Sequence, residues 1–384
     1  MIISNPRNHA AAGLGLSEAS GVFSYWPGTL GLGATQDPAL IRDFAQTAAK
    51  EWRATGIRKR YMYQVEAATE PRWTRNNGTF GEDPDLLAKI ARELVLGFQG
   101  EKLGPDSIAL TMKHYPGNGI APRGVDSHDE PGKFAVYPTA GSLIKYQLLI
   151  QYALEAMGFK GYLNTDSQVA VDGNQVWGVE NLTVSQRVAK SMNAGVSLLS
   201  IASSNLATAT PTLAPTELIK AINAGLTTEA TLNKAAVNLL KEMFALGIFE
   251  NPYVDPANAE KVVHSAEAQA KADVAQRKSV VLLKNNDALP LAKTSPATVK
   301  IYGEVFAKTG AADLTTALRA KLATQYPTAT IVSDFNLATH AILIVQPCSL
   351  SDLAQRGGPQ GCKSPPGDFG SAFVVFEAPK LLEL

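Results

Sequence analysis

Apolar residues recur at three- and four-residue spacing along several stretches of the chain, which is the pattern of helices that bury one face. This pattern predicts helices over 37–56, 83–100, 142–158, 183–195 and 231–247. The first two open with Asp-Pro and end at a glycine, which are start and stop signals for a helix. Short apolar runs between the helices predict buried strands over 107–115, 159–166 and 196–202.

Strands that alternate with helices of this length predict an α/β fold with parallel strands. In such folds ligands bind at the carboxyl ends of the strands, because the loops that follow the strands converge there. Asp166 ends the strand segment "FKGYLNTD", and Lys113 and His114 lie near the end of "SIALTMKHY". These residues are therefore candidates for chemistry. A helix cap or turn role for Asp166 and a satisfied buried role for His114 stay open at this point.

A smaller α/β region is predicted towards the end of the chain. Residues 256–276 are polar and rich in proline and alanine, which predicts a linker that passes into a helix. Beyond it, "KSVVLLKN", "VKIYGEVF" and "THAILIVQP" are predicted strands around a helix over 311–327. We therefore expect a first domain over 1–255, a linker over 256–276 and a second domain over 277–384.

Composition excludes some classes of protein. The chain has 384 residues, of which 45% are hydrophobic and 18% charged, as in ordinary globular proteins. Its 35 basic residues balance 35 acidic ones, so we expect no broad surface for nucleic acid. No apolar run approaches the roughly 18 residues of a membrane span, and the N-terminus lacks the pattern of a signal peptide. The cellular compartment stays open.

Some polar segments suggest chemistry without specifying it. "EPRWTRNNGTFGEDP", over 70–84, fits either a salt-bridged loop or a ligand site in which Arg75 binds hydroxyl or carboxylate groups. "VDSHDE", over 125–130, has no second histidine at helical spacing, so we expect no metal site. The glycine-rich "LGLGA", over 30–34, lacks the third glycine of a dinucleotide-binding loop, and we expect no cofactor.

Seven segments in order resemble glycoside hydrolase family 3. They are "WPGTLGLGATQDPALI", "EPRWTRNNGTFGEDPDLLAKIARELVLGFQG", "TMKHYPGNG", "GFKGYLNTDS", "NAGVSLLS", "LKEMFALGIFENPY" and "KSVVLLKNNDALPL", between residues 26 and 291. "SNPRNH" near the start and "SHDEPGKFAVYP" further on resemble a β-glucosidase-like branch. The resemblance implies a (β/α)8-type, TIM-like barrel followed by an α/β sandwich, and cleavage of β-linked glucosides, xylosides and related sugars with retention of configuration.

The resemblance also implies roles for individual residues. Asp166 matches the position of the nucleophile, and Arg75, Lys113 and His114 match positions that hold sugar hydroxyls beside the scissile bond. Trp177, in the loop after the nucleophile, is expected near the same subsite. Nearby cations would keep the carboxylate of Asp166 ionised, as a nucleophile requires. The expected partner is a β-linked glucoside or oligosaccharide, with no cofactor, nucleic acid or membrane.

The chain departs from the family pattern in three places. No aspartate precedes Asp37, although the family has a sugar-binding aspartate there, and Ser197 stands where the family commonly has an aspartate. The helix over 142–158 fills a place where the family has another strand, so we expect an incomplete barrel. We expect the second domain, over 277–384, to be a partial sandwich. The C-terminal carboxylates match no motif, and the acid/base residue stays unassigned.

Two hypotheses about function follow from this pattern. The first is an exo-acting, retaining β-glycosidase that forms a glycosyl bond to Asp166. The second is a truncated, inactive member of the family with at most sugar binding. A family member of different chemistry, a hexosaminidase or a phosphorylase, is a weaker third hypothesis, because the histidine-containing loop motif of hexosaminidases is not evident.

Overall fold

The structure is a computed structural model, which describes part of the chain. The described residues are 1–4, 22–68, 73, 75–114, 158–165, 170, 179–199, 213–285, 289–291, 298–306, 311–345 and 372–377. They form two compact units. The first unit holds the described residues of 1–67, 80–114 and 158–279, and the second holds those of 68–79 and from 280 onward.

Eight helices are described in the first unit, six of which begin after a capping aspartate, threonine or serine. They are α1 (Thr29–Ala34), α2 (Pro38–Ala54), α3 (Pro84–Phe98), α4 (Val184–Asn193), α5 (Leu213–Asn223), α6 (Glu229–Ala245), α7 (Pro256–Val262) and α8 (Ala266–Lys278). The side chain of Asp37 accepts a hydrogen bond from the backbone N–H of Leu40, and Asp83 caps α3 in the same way. Each aspartate satisfies N–H groups that the first turn leaves without a partner in the helix. The predicted helix over 142–158 lies almost entirely outside the described residues.

The strands of the first unit are short and parallel. β1 (Ile2–Ser4), β2 (Ile57–Arg60) and β3 (Ala109–Leu110) form one sheet in that order, and β4 (Leu163–Asn164) pairs with β5 (Val196–Leu198). Parallel strands joined through helices confirm the predicted α/β class. The sequence did not predict β2, because its residues "IRKR" are mostly charged.

An aromatic core between α2, α3 and β2 explains how those charged residues become buried. The rings of Trp52 and Phe98 stack with centroids 4.9 Å apart. The guanidinium of Arg60 lies 4.1 Å from the ring centroids of both Trp52 and Tyr63. Aromatic faces carry negative charge density and attract a cation, so Arg60 packs in the core through contacts that are favourable for its charge.

The helices α2 and α3 approach so closely at Gly97 that a methyl group has no room there. A Cβ atom added to Gly97 would lie 2.4 Å from the Cβ of Ala45 and 3.0 Å from the carbonyl oxygen of Arg42. The small side chains at this crossing therefore set the distance between the two helices.

We expect Gly97→Ala to lower the free energy of unfolding by about 1–3 kcal/mol, because overpacking outweighs the gain from removing a helical glycine. Chemical denaturation followed by circular dichroism measures this change. Gly104→Ala is the control, because no heavy atom lies within 4 Å of its added Cβ. A Gly97→Ala protein as stable as the Gly104→Ala protein would contradict the packing described here.

The segment predicted as a linker holds two helices in the structure. Residues 256–276 form α7 and most of α8, and Ala272 and Ala275 of α8 belong to the buried core of the first unit. Alanines with helical spacing present a small apolar face that can lie flat on a neighbouring helix. The two units divide between Ser279 and Val280. The domain boundaries given by the sequence stay predictions.

The second unit contains a four-stranded sheet. Its elements are β6 (Lys300–Phe306), α9 (Ala311–Gln325), β7 (Thr330–Val332), β8 (His340–Val345) and β9 (Ala372–Glu377). The strand order is β7-β6-β8-β9, with β9 antiparallel to β8 and the other pairs parallel. The predicted strands "VKIYGEVF" and "THAILIVQP" correspond to β6 and β8.

One predicted strand of this region is wrong. The segment "KSVVLLKN" starts inside α8, which ends at Lys278, and the following residues form no strand. Val280–Leu283 are exposed and pair with none of the described strands. A run of β-branched and leucine residues becomes a strand only when another strand offers it hydrogen-bonding partners. Within the described part of the chain, no helix is both long and apolar enough to cross a membrane.

Candidate active site

The chain continues in register beyond the carboxyl ends of β2 and β3. The N–H of Lys113 donates to the carbonyl of Tyr63 at 2.8 Å, and the N–H of Val65 donates to the carbonyl of Lys113 at 3.0 Å. These bonds hold the segment after β3 against the segment after β2. Side chains from both segments therefore meet at the edge of the sheet where α/β proteins bind ligands.

Lys113 and the end of β4 meet at the ring of Tyr61. The ammonium group of Lys113 lies 4.3 Å from the centroid of that ring. The hydroxyl of Tyr61 donates a hydrogen bond to the carbonyl oxygen of Thr165 at 3.3 Å. The N–H of Thr165 in turn donates to the carbonyl of Leu198, the last residue of β5, at 3.0 Å. One tyrosine thus joins the cation to the residue that precedes Asp166.

His114 is held by a buried carboxylate. Its Nδ1 atom lies 3.1 Å from Oε1 of Glu66, and Gln64 donates to the same oxygen at 3.2 Å. The side chain of Glu66 is only 3% exposed. A carboxylate that accepts a hydrogen bond from Nδ1 fixes both the orientation and the tautomer of an imidazole ring. Any hydrogen bond from His114 to a ligand would then use Nε2.

The structure brings two of the predicted site residues together and describes a third separately. Lys113 and His114 share the edge formed after β2 and β3, as their place in the sequence predicts. Arg75 belongs to the second unit, where its carbonyl accepts a hydrogen bond from Gly78 in a 3-10 turn. Its predicted contact with a sugar stays a prediction. Asp166 and Trp177 lie outside the described residues, so their roles stay predictions.

Sequence reasoning missed Tyr61 and Glu66, which organise this edge. Both follow β2, the strand that the sequence did not predict because its residues are mostly charged. No local signal in the sequence marked this strand, because its alternation shows only in the structure: Lys59 contacts Tyr162 beside β4, whereas Arg60 contacts the aromatic core. Alternating partners are the mark of a strand, even when the side chains are charged.

Ser197, which replaces an aspartate of the family pattern, has a structural partner. It lies on β5 and is buried, and its hydroxyl accepts a hydrogen bond from the side-chain amide of Asn238 on α6 at 3.3 Å. A neutral hydroxyl–amide pair is stable in such a buried place, whereas a lone carboxylate would be costly.

The segment "VDSHDE", over 125–130, lies outside the described residues. Among the residues that the structure does describe, no group of three or more histidine, cysteine, aspartate or glutamate side chains could hold a metal ion.

A buried ionic cluster ties β2 to β4 and α6. The ammonium group of Lys59 lies 2.9 Å from both carboxylate oxygens of Glu242 and 2.6 Å from the hydroxyl of Tyr162, which itself donates to Glu242 at 3.0 Å. Burial lowers the pKa of Lys59, although Glu242 acts to raise it. Burial and the negative charge of Glu242 raise the pKa of the Tyr162 hydroxyl. The cluster is saturated with its own hydrogen bonds, so we assign it a structural role.

Comparison with known proteins places these observations in a family context. The model of the glycosyl hydrolase family 3 N-terminal domain matches residues 12–139. β-Glucosidase C of Emericella nidulans is 35% identical over 79% of this chain and 55% of its own length. A periplasmic β-glucosidase/β-xylosidase of Dickeya chrysanthemi is 34% identical over 77% of this chain and 52% of its own. The chain therefore spans about half the length of these curated relatives.

Solved structures show a similar fold. A mutant β-glucosidase from Listeria innocua in complex with laminaribiose matches with a TM-score of 0.64 and 23% identity, over 82% of this chain and 47% of that chain. An exo-1,3/1,4-β-glucanase from a Pseudoalteromonas species matches with a TM-score of 0.60 and 24% identity, over 81% of this chain and 43% of that chain. At this identity the likeness concerns the fold alone. An incomplete barrel and a partial second domain stay predictions.

Proposed function

This chain belongs to glycosyl hydrolase family 3, and on that premise we propose that the protein is an exo-acting, retaining β-glycosidase that hydrolyses β-glucosides. In the proposed reaction a carboxylate oxygen of Asp166 attacks C1 of the sugar, while the glycosidic bond breaks and a general acid protonates the leaving oxygen. Water then attacks C1 of the glycosyl–Asp166 intermediate and releases the sugar. We assign the general acid to no residue.

The observation that carries the proposal is the double contact of Tyr61. Its ring lies under the ammonium group of Lys113 and its hydroxyl binds the carbonyl of Thr165. Asp166 is the next residue in the chain. A cation held beside this strand end favours the ionised form of a nearby carboxylate, and a nucleophile must be ionised to attack C1.

His114 is proposed to bind a sugar hydroxyl in the same subsite. With Nδ1 engaged by Glu66 at 3.1 Å, the ring presents Nε2 in a fixed direction. Hydrogen bonds to sugar hydroxyls near the reacting carbon strengthen in the transition state of glycoside hydrolysis. Lys113 supplies a charge-assisted donor for the same purpose.

The substrate class is proposed from the relatives. The curated relatives with more than 30% identity that are described above are named β-glucosidases, and one name adds β-xylosidase. The Listeria innocua structure contains laminaribiose. A β-glucoside is therefore the substrate that we propose for this chain, and a β-xyloside is the first competitor to compare.

We expect the protein to hydrolyse 4-nitrophenyl β-glucoside and to release the β-anomer of glucose first. Proton NMR of the anomeric signals during the first minutes of the reaction measures this outcome, with the α-glucoside and the β-N-acetylglucosaminide as control substrates. Release of the α-anomer first would contradict a covalent intermediate. A folded protein without turnover of any β-glycoside would favour the inactive alternative.

A further inference from the structure

The guanidinium of Arg187 binds three backbone carbonyls that the proposed reaction does not use. Nε donates to the carbonyl of Val179 at 3.0 Å, Nη1 to that of Ala170 at 3.2 Å and Nη2 to that of Glu180 at 2.9 Å. Arg187 is only 4% exposed. A planar guanidinium with five donors in fixed directions is suited to holding several acceptors at once.

These three carbonyls bracket the part of the chain that follows Asp166. Ala170 comes four residues after Asp166, and Val179 and Glu180 follow Trp177. Ala170 is itself 1% exposed and belongs to a small apolar cluster with Val188 of α4. Arg187 therefore fixes the backbone at Ala170 and again at residues 179–180.

The backbone on the other side of Asp166 is fixed as well. Thr165 donates to the carbonyl of Leu198 and accepts from Tyr61. Only residues 166–169 lie between the anchor at Thr165 and the anchor at Ala170. The backbone is thus held by hydrogen bonds on both sides of the segment that contains Asp166, and fixing the two ends of a short segment reduces the number of conformations open to it.

The helix that carries Arg187, α4, is capped at its N-terminus. Thr183 and Gln186 form a capping box at the N-terminus of α4, and the N–H of Arg187 donates to the carbonyl of Thr183 at 3.0 Å. A capping box satisfies two N–H groups of the first turn reciprocally and defines where the helix begins. Arg187 therefore lies at the start of a helix whose first turn is stabilised by this capping box.

We propose that Arg187 is a positioning residue of the active site, which holds the backbone after Asp166 so that the carboxylate meets C1 of the sugar. The inference rests on the proposed function. Displacement of a reacting group by about 1 Å through a distant change lowers a rate by about 10²-fold. Loss of the three hydrogen bonds from Arg187 is expected to have an effect of this size on the attack by Asp166.

The test measures the rate of covalent labelling by 2,4-dinitrophenyl 2-deoxy-2-fluoro-β-glucoside, which stops the reaction at the glycosyl-enzyme. We expect Arg187→Met to lower the maximal labelling rate about 10²-fold with little change in the half-saturating concentration of the probe. Arg187→Lys or added methylguanidinium should restore part of the rate. Restoration is the readout that a purely structural role would not give.

Arg319→Met is the matched control for this experiment. Nε of Arg319 donates to the carbonyl of Gly303 at 2.8 Å and its guanidinium packs on the ring of Tyr302, all within the second unit. The variant removes the same kind of arginine–carbonyl bond without touching residues 165–187. Its labelling rate should equal that of the wild type.

Amide hydrogen exchange provides a readout that does not depend on activity. In Arg187→Met, exchange should accelerate over residues 165–180 while the middle of α4 keeps its protection. Unchanged exchange over 165–180, or a wild-type labelling rate in Arg187→Met, overturns the inference and leaves the proposed function standing. Failure of the wild-type protein to be labelled overturns the proposed function, and the inference with it.

Discussion

Asp166→Ala is expected to lower the turnover of a β-glucoside by about 10⁴-fold or more, since loss of a nucleophile removes the covalent route altogether. The variant should remain folded, because the anchors at Thr165 and Ala170 use backbone atoms of neighbouring residues. Steady-state hydrolysis of 4-nitrophenyl β-glucoside measures the rate, and circular dichroism measures the fold.

Two further variants provide a chemical rescue and a control for this first prediction. In Asp166→Gly, added azide should attack C1 in place of the missing carboxylate and give α-glucosyl azide, with recovery of part of the rate. Asp106→Ala is the control for loss of a carboxylate, because the Asp106 side chain is 95% exposed. An Asp166→Ala protein that keeps more than about a tenth of the wild-type rate would contradict the assigned role.

Glu242→Leu is expected to cause the largest loss of stability, about 3–5 kcal/mol in the free energy of unfolding at neutral pH. The side chain of Lys59 is 4% exposed, and removal of Glu242 leaves its charge buried beside the neutral Tyr162 hydroxyl. Removing one partner of a buried ion pair costs this much because the other charge stays desolvated. Urea denaturation of the two proteins measures the difference.

The loss in Glu242→Leu should shrink as the pH rises. Burial lowers the pKa of Lys59, and Glu242 is the group that opposes this shift. In the variant the pKa of Lys59 in the folded protein therefore falls further below its unfolded value of about 10.4. Between those two values the unfolded chain binds a proton that the folded protein lacks, so the free energy of unfolding rises with pH in that window.

The triple variant Lys59→Met, Glu242→Leu and Tyr162→Phe is the control for this second prediction. It removes every polar group of the cluster, and apolar replacement of a complete buried ion pair is often neutral or stabilising. It should recover most of the stability that Glu242→Leu loses. A triple variant less stable than Glu242→Leu, or a Glu242→Leu protein as stable as the wild type, would contradict this account of the cluster.

The sequence predicted the elements whose signals are local. Asp37 and Asp83, each followed by proline, marked the starts of α2 and α3, and the structure shows both aspartates capping their helices. Lys113 and His114 were correctly placed at a strand end. For the two helix starts the deciding contacts lie within three residues of each aspartate, where capping rules apply. The place of Lys113 and His114 followed from an apolar run, which periodicity detects.

The elements that the sequence missed depend on distant partners. β2 contains Lys59, whose charge is balanced by Glu242, 183 residues further on. The orientation of His114 depends on Glu66, 48 residues before it. Conversely, Val280–Leu283 has the composition of a strand but pairs with none of the described strands. Local patterns carry no information about such partners, because tertiary contacts override propensity.

The measurement that tests the central claim most directly is identification of the carboxylate that binds the sugar. The protein is treated with 2,4-dinitrophenyl 2-deoxy-2-fluoro-β-glucoside, digested and analysed by mass spectrometry. We predict one fluoroglucosyl group per chain, on the peptide that contains "GYLNTDSQVA", with fragment ions that assign it to Asp166. A label on another carboxylate, or turnover of β-glucosides without any covalent label, would contradict the claim.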